Sequence, residues 1–247
     1  MDDFSFPRYL AAKKSVDDRA LNAQVWQGLK AALDELRGPQ PVTILEIGAG
    51  TGTMLRRLYE GELLGRTDYL GIDADAGNVA AARQATRVWA EQAGLACEER
   101  GDCLRIQTPA GRIDAWFQQA ELAAFLRTWS GRREWDLVMA HAFLDLVDVP
   151  ASLPQLKRLA CPGGWFSLTV NFDGLTALEP EIDPDLDARI AAAYHHTMDD
   201  RVVGGQRAGD SHTGRRLFGW LRAAGLEIVQ AGGSDWVVFA RDGQYPA

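Results

Sequence analysis

Ile44-Leu-Glu-Ile-Gly-Ala-Gly-Thr-Gly-Thr-Met-Leu55 decides how this chain is read. An apolar run carrying one acid, Glu46, enters glycines at alternate positions, Gly48, Gly50 and Gly52, and a helical pattern follows. That order predicts a strand, a tight turn and a helix start, with backbone bare enough for a ligand to approach. The dinucleotide fingerprint G-x-G-x-x-G fails, because its third glycine falls on Thr53 counted from Gly48 and on Leu55 counted from Gly50. A buried strand rarely carries an unpaired carboxylate. Glu46 therefore needs a polar partner at the strand's carboxyl end, a ligand ammonium being one candidate. The alternative is an ordinary glycine turn beside a partly exposed Glu46.

The next strand, Asp68-Tyr-Leu-Gly-Ile-Asp73-Ala-Asp75, ends in acids. Asp73 lies roughly 20 residues beyond the turn, where such folds hold ribose hydroxyls with an acid. A carboxylate can accept both hydroxyl protons at once. Asp75 is the better candidate for capping a helix that begins near Ala76.

Outward from these motifs, strands alternate with helices. Residues 8–37 read as mostly helical, with Asp17 or Asp18 starting the main helix and Gly38-Pro39-Gln40-Pro41 ending it. Leu104–Thr108 and Arg112–Phe117 flank Pro109-Ala-Gly111 as a β-hairpin whose second arm becomes a sheet strand ending at Gln118–Glu121. Further strands are expected at 135–141 and 165–172, and helices at 76–93, 151–160 and 214–225. Two runs, 226–231 and 235–241, joined by Gly232-Gly233-Ser234, suit an antiparallel edge hairpin. Residues 174–213 are too long for a structureless loop. They read as an insertion containing a helix from Leu186 to Met198, folded over the carboxyl ends of the strands, where open α/β sheets bind ligands.

These motifs together resemble the class I S-adenosylmethionine-dependent methyltransferases. The resemblance rests on Leu45-Glu-Ile-Gly-Ala-Gly-Thr-Gly52, Leu70-Gly-Ile-Asp73, Trp135-Asp-Leu-Val-Met-Ala-His141 and Leu156-Lys-Arg-Leu-Ala-Cys-Pro-Gly-Gly-Trp165, in the family's order over residues 40–172. It implies a three-layer Rossmann-like α/β sandwich. Its mostly parallel seven-stranded sheet would have the order 3-2-1-4-5-7-6, the last strand antiparallel, with helices on both faces. The chain, 1–247, would be one methyltransferase domain with an N-terminal helical cap at 1–38 and the 174–213 insertion as part of a substrate lid.

The resemblance also implies S-adenosylmethionine as cofactor. Glu46, Gly48 and Gly50 would hold its methionine end, with Gly52 either joining them in the same motif or serving mainly turn geometry. Asp73 would take the ribose, and Ala74, Ala120 and Glu121 would surround the adenine, although Glu121 equally suits the first turn of the next helix. His141 ends the fourth strand near the transferred methyl. It would serve either as general base or as a hydrogen-bond partner of the cofactor or next loop. Candidate acceptor contacts are Tyr9 on the cap and Tyr194, His195, His196, Arg201 and His212 in the insertion. Arg201, Arg215 and Arg216 are of the type that receives a carboxylate or phosphate. Trp236 reads as a packing residue on a strand.

Composition limits the alternatives. The 247 residues are 47% hydrophobic and 24% charged, enough for a packed core. The net charge of −8 argues against broad binding to nucleic acid or anionic membrane. No run approaches the ~18 apolar residues of a membrane span. Cys97, Cys103 and Cys161 form no C-x-x-C pair and point to reduced thiols in a cytoplasmic setting. The histidines fall in no metal-ligand spacing, so no metal is expected. The expected activity is methylation of a small molecule at oxygen or nitrogen. The rivals are a methyltransferase for protein or nucleic acid, a non-catalytic cofactor-binding subunit, and a dehydrogenase. A homodimer is compatible with everything above.

Overall fold

The computed structural model describes residues 6–129, 135–177, 180, 183–203 and 205–244. Its centre is a seven-stranded sheet of β1 (Val42–Ile47), β2 (Thr67–Asp73), β3 (Ala96–Arg100), β4 (Cys103–Thr108), β5 (Gly111–Gln119), β6 (Trp135–His141) and β7 (Ala160–Thr169), in the order β3-β4-β5-β2-β1-β6-β7. The run β5-β2-β1-β6-β7 is parallel throughout and reproduces the expected 3-2-1-4-5 core.

The antiparallel component lies elsewhere than expected. It comes from β3 and β4, which extend β5 as a meander at one edge. The runs 226–231 and 235–241 form no strand. The link between them bonds the N-terminal region: the Asn22 backbone N–H donates to Ser234 Oγ at 3.1 Å and Asn22 Nδ2 donates to the Gly233 carbonyl at 3.0 Å. The Gly232-Gly233-Ser234 turn thus docks on the helical cap instead of closing a hairpin. Val229 and the run Trp236–Phe239 remain exposed.

Strand alternation sends side chains to two cores. Val42, Ile44, Tyr69, Ala115, Phe117, Leu137 and Met139 join Leu29 and Leu33 of α2 (Ala23–Glu35) and residues of α3 (Thr53–Glu60) and α4 (Ala76–Gln92) on one face. Leu45, Ile47, Leu70, Ile72, Val138 and Ala140 meet α5 (Leu122–Trp129), α6 (Val149–Lys157) and α8 (Thr213–Ala223) on the other. Burying such side chains contributes roughly 1.5–3 kcal/mol each before entropic costs.

The cap differs from the single main helix expected. It is two helices, α1 (Phe6–Ala20) and α2, broken at Leu21-Asn22. Asn22, not Asp17 or Asp18, caps α2, its side chain accepting from Val25 N at 3.0 Å. Asp17 and Asp18 instead bind Arg57 of α3, which ties the cap to the helix that follows the glycine turn. The insertion carries α7 (Pro184–Asp199), none of whose side chains is buried, and a short hairpin, β8 (Val202–Val203) and β9 (Gln206–Arg207). No helix among the described residues is long and apolar enough to cross a membrane.

Candidate active site

A cavity of about 1260 Å³ opens at the carboxyl ends of β5, β2, β1, β6 and β7. The glycine turn is its floor. Gly48, Gly50 and Gly52 have φ of 69°, 53° and 74°, a left-handed backbone that side chains strain to adopt. Two of them are also closely approached. A Cβ on Gly48 would lie 2.6 Å from the Phe143 ring, and one on Gly50 would lie 3.2 Å from Leu10 of α1. Gly52 differs: it is the N-cap of α3, packs toward Ala82 and Phe117, and is not part of the cavity wall. Its role is turn and helix packing rather than ligand contact.

Glu46 is 3% exposed and accepts a hydrogen bond from the Tyr69 hydroxyl. Burial pushes its pKa to about 8, with the Tyr69 hydrogen bond and the Arg57 charge acting in the opposite direction. Tyr69 was not anticipated from sequence. Glu46 pairs with Gly71 across the sheet, and Tyr69 lies on the same face two residues earlier. Register therefore carries the signal, and register is invisible until the strands are paired.

Asp73 is densely held. Its carboxylate accepts from Gly50 N at 2.8 Å, Asp75 N at 2.9 Å and Asn78 Nδ2 at 3.1 Å. It thereby locks the glycine turn onto the end of β2. Asp75 caps α4 through Asn78 N at 2.9 Å. Ala74, Ala120 and Glu121 complete this wall of the cavity, and the Glu121 carbonyl accepts from Phe125 N at the start of α5.

His141 ends β6 and lines the cavity, with Nε2 3.1 Å from Ser167 Oγ. Burial, aided by the Arg57 charge, lowers its pKa to about 4, so the imidazole is neutral at physiological pH. With Ser167 at Nε2, Nδ1 is the nitrogen left to meet a substrate proton.

Among the candidate acceptor contacts, Tyr9 and Arg201 line the cavity. Tyr194, His195 and His212 do not. They form an aromatic cluster with Phe172, with ring centroids 5.7 Å (Phe172–Tyr194), 5.2 Å (Phe172–His195) and 6.0 Å (His195–His212) apart. His212 is further held by Ser211 Oγ at 2.9 Å. These rings pack the base of the insertion because α7 has no buried apolar stripe to do so. His196 points outward, its side chain 78% exposed. Arg215 and Arg216 are also turned away, toward the Asp173 carbonyl and the Asp210 carboxylate. The cavity also holds Lys13, which with Tyr9 suits closure over a cofactor, and it gains residues to which sequence reasoning gave no site role: Asp17, Arg57, Asn78, Asn171, Arg207 and Trp236. Trp236 is not a strand-packing residue; Lys13 Nζ sits 5.7 Å from its ring centroid and 5.8 Å from that of Tyr9. Among the described residues no group of three or more His, Cys, Asp or Glu is placed to hold a metal.

A family model of a methyltransferase domain matches residues 19–231. The chain belongs to this methyltransferase family. The chain is also similar to solved structures. An O-methyltransferase family protein from Burkholderia thailandensis aligns with a TM-score of 0.50 at 18% identity, over 97% of this chain and 56% of that one. The YcgJ protein of Bacillus subtilis aligns at 0.44 and 17%, over 80% and 67%. The plantazolicin methyltransferase BamL, solved with a triazolic desmethylPZN analog and SAH, aligns at 0.40 and 16%, over 62% and 46%. The chain spans only 46%, 56% and 32% of the first three solved structures it matches. Comparison with curated protein sequences finds no match.

Proposed function

We propose that the chain transfers a methyl group from S-adenosylmethionine to a small-molecule acceptor, at oxygen or nitrogen. The observation that carries this reading is the joining of Glu46, the Gly48–Gly50 backbone, Asp73 and His141 in one cavity. At about 1260 Å³ it exceeds the roughly 300–1,000 Å³ typical of a single small ligand, leaving room for donor and acceptor side by side.

The residues present suit the cofactor. Glu46 is a buried carboxyl whose hydrogen-bond partner is a neutral phenol, so a ligand ammonium would supply the missing positive charge. Asp73 spends three hydrogen bonds on the protein, and a carboxylate offers about four acceptor directions, so it retains capacity for a ribose hydroxyl. Ala74, Ala120 and Glu121 would flank the adenine. When bound, the cofactor supplies a methyl group on a sulfonium leaving group. The protein's own contribution is alignment, exclusion of water and removal of the acceptor proton. His141 would receive that proton at Nδ1, while Ser167 holds the ring. α1 roofs the site through Tyr9, Leu10 and Lys13 and limits solvent access. Cys97, Cys103 and Cys161 form no disulfide among the described residues, which supports a cytoplasmic setting.

Single-turnover transfer of a labelled methyl group into a metabolite extract tests the reading. His141→Ala is expected to slow the step by about 10²–10⁴-fold with cofactor affinity unchanged. Unimpaired chemistry in that variant removes the proton-acceptor role. Cofactor binding with no transfer by the unaltered protein favours a non-catalytic subunit, and binding of NAD in place of S-adenosylmethionine overturns the assignment.

A further inference from the structure

The strand order sorts the cavity's charges. Glu121, Asp73 and Glu46 line it at the ends of β5, β2 and β1. The β6–β7 half presents His141, Thr169 and Asn171, and above it α1 and the β8–β9 hairpin bring Lys13, Arg201 and Arg207. The acids nearest these cations are already engaged. Asp148 caps α6, accepting from Ala151 N at 3.1 Å. Asp17 is shared between Arg57 at 3.2 Å and Lys13 at 3.5 Å. Burial pushes the Asp145 carboxyl upward, and the nearby Arg201 and Lys13 charges act on it in the opposite direction. Arg201 and Arg207 are exposed at the cavity, where the Asp145 carboxyl feels the Arg201 charge and the Asp199 carboxyl that of Arg207.

The hairpin's register ranks the two arginines. Val202 pairs with Arg207 and Ala208 N donates to the Arg201 carbonyl. Alternation then places Arg201, Val203 and Ala208 on one face and Val202 with Arg207 on the other. Arg201, Val203 and Ala208 all line the cavity from one face, Arg207 reaches it from the other, and Val202 does not line it. A guanidinium is a rigid fork that matches a carboxylate or phosphate, and Arg201 presents one at the wall of this cavity in a protein of net charge −8.

We infer that the methyl acceptor is an anion, a small molecule whose carboxylate or phosphate group is received by Arg201, with Lys13 and Arg207 flanking it. This rests on the methyl-transfer reading above and names its substrate class.

Two measurements on the full chain separate the claims. In the first, inorganic phosphate and malonate are titrated calorimetrically into the protein. Saturable binding that weakens at least about tenfold in Arg201→Gln, and less in Arg207→Gln, is expected from loss of charge-assisted hydrogen bonds. Arg189→Gln on α7 removes the same charge away from the cavity and is expected to change nothing. Equal binding by the wild type and Arg201→Gln overturns the inference, as does equal weakening by Arg189→Gln. In the second, a metabolite extract is split on an anion exchanger and each fraction is offered with labelled cofactor. Label in the retained fraction, with half-maximal transfer shifted at least about tenfold in Arg201→Gln and cofactor affinity unmoved, supports the anionic acceptor. Label confined to the unretained fraction overturns the anionic acceptor and leaves methyl transfer standing. Label in neither fraction, with cofactor bound, removes methyl transfer, and the inference falls with it.

Discussion

At the glycine-turn end of the cavity the protein consumes its own polar groups, whereas at the insertion end it leaves cations unspent. Asp73, at the end of β2, takes three donors from the glycine turn and the start of α4, and Glu46 of β1 takes the Tyr69 hydroxyl of β2. Arg201 and Arg207 sit on a hairpin of two residues per strand, next to a helix with no buried side chain. The first arrangement is rigid because each member is fixed by parallel strands packed on both faces. The second is held by few contacts and is therefore easier to reshape without unfolding the domain. A fixed donor site beside an adaptable acceptor site is what a scaffold for many acceptors requires.

The largest effect expected to break this contrast concerns Glu46. Its folded pKa of about 8 lies above the ordinary 4.5, so the folded state keeps a proton that the unfolded chain has lost. Stability is therefore intact below pH 4.5 and falls as pH rises toward 8, by up to about 1.4 kcal/mol per pH unit. Urea unfolding across that range should show the decline, and Glu46→Gln should flatten it. Binding of a cationic ligand beside Glu46 should release a proton in the same window, read from the buffer dependence of the calorimetric heat.

Next is Gly48→Ala. Its φ of 69° and the Phe143 ring 2.6 Å from the new Cβ should together cost about 1–3 kcal/mol and weaken cofactor binding. Gly163→Ala sharpens the reading, because φ is 79° there with nothing within 4 Å of the new Cβ. It should show backbone strain alone, with cofactor affinity unchanged.

Asp73→Asn should follow at about 2 kcal/mol, since an amide placed toward Gly50 N sets donor against donor. Denaturation midpoints and S-adenosylhomocysteine titration would report both the loosened turn and the lost affinity. The smallest effect belongs to the insertion's outer surface. His196→Ala should change stability by no more than about 0.5 kcal/mol and leave transfer rates alone, because its side chain is 78% exposed.

The same contrast explains what sequence made legible. The turn, Asp73 and the strand ends are encoded by local signals: glycine spacing, apolar parity and an acid after a strand. The break at Asn22 was hidden because Asp17 and Asp18 look equally good as caps, and their true partner, Arg57, is 40 and 39 residues away. The runs 226–231 and 235–241 have strand-like composition, yet the Gly233-Ser234 link between them bonds Asn22 of the cap and no hairpin closes. The aromatic and histidine residues of the insertion were legible as a cluster. Which of them would face the cavity depended on how α7 and the following hairpin pack, and no periodic apolar face announces that.

Asn22 joins residues 211 and 212 positions further along the chain. Closing so long a loop carries an entropic cost that is met only after intervening structure has formed. The clasp between the cap and the segment around Gly233 is therefore among the late events of folding. Until it forms, α1 is held only by its ion pairs to α3, Trp236 has no fixed seat beside Lys13, and the sheet can be complete while that side of the cavity still lacks its roof. Ligand binding and global unfolding should then report different transitions in a refolding experiment, with the roof arriving second.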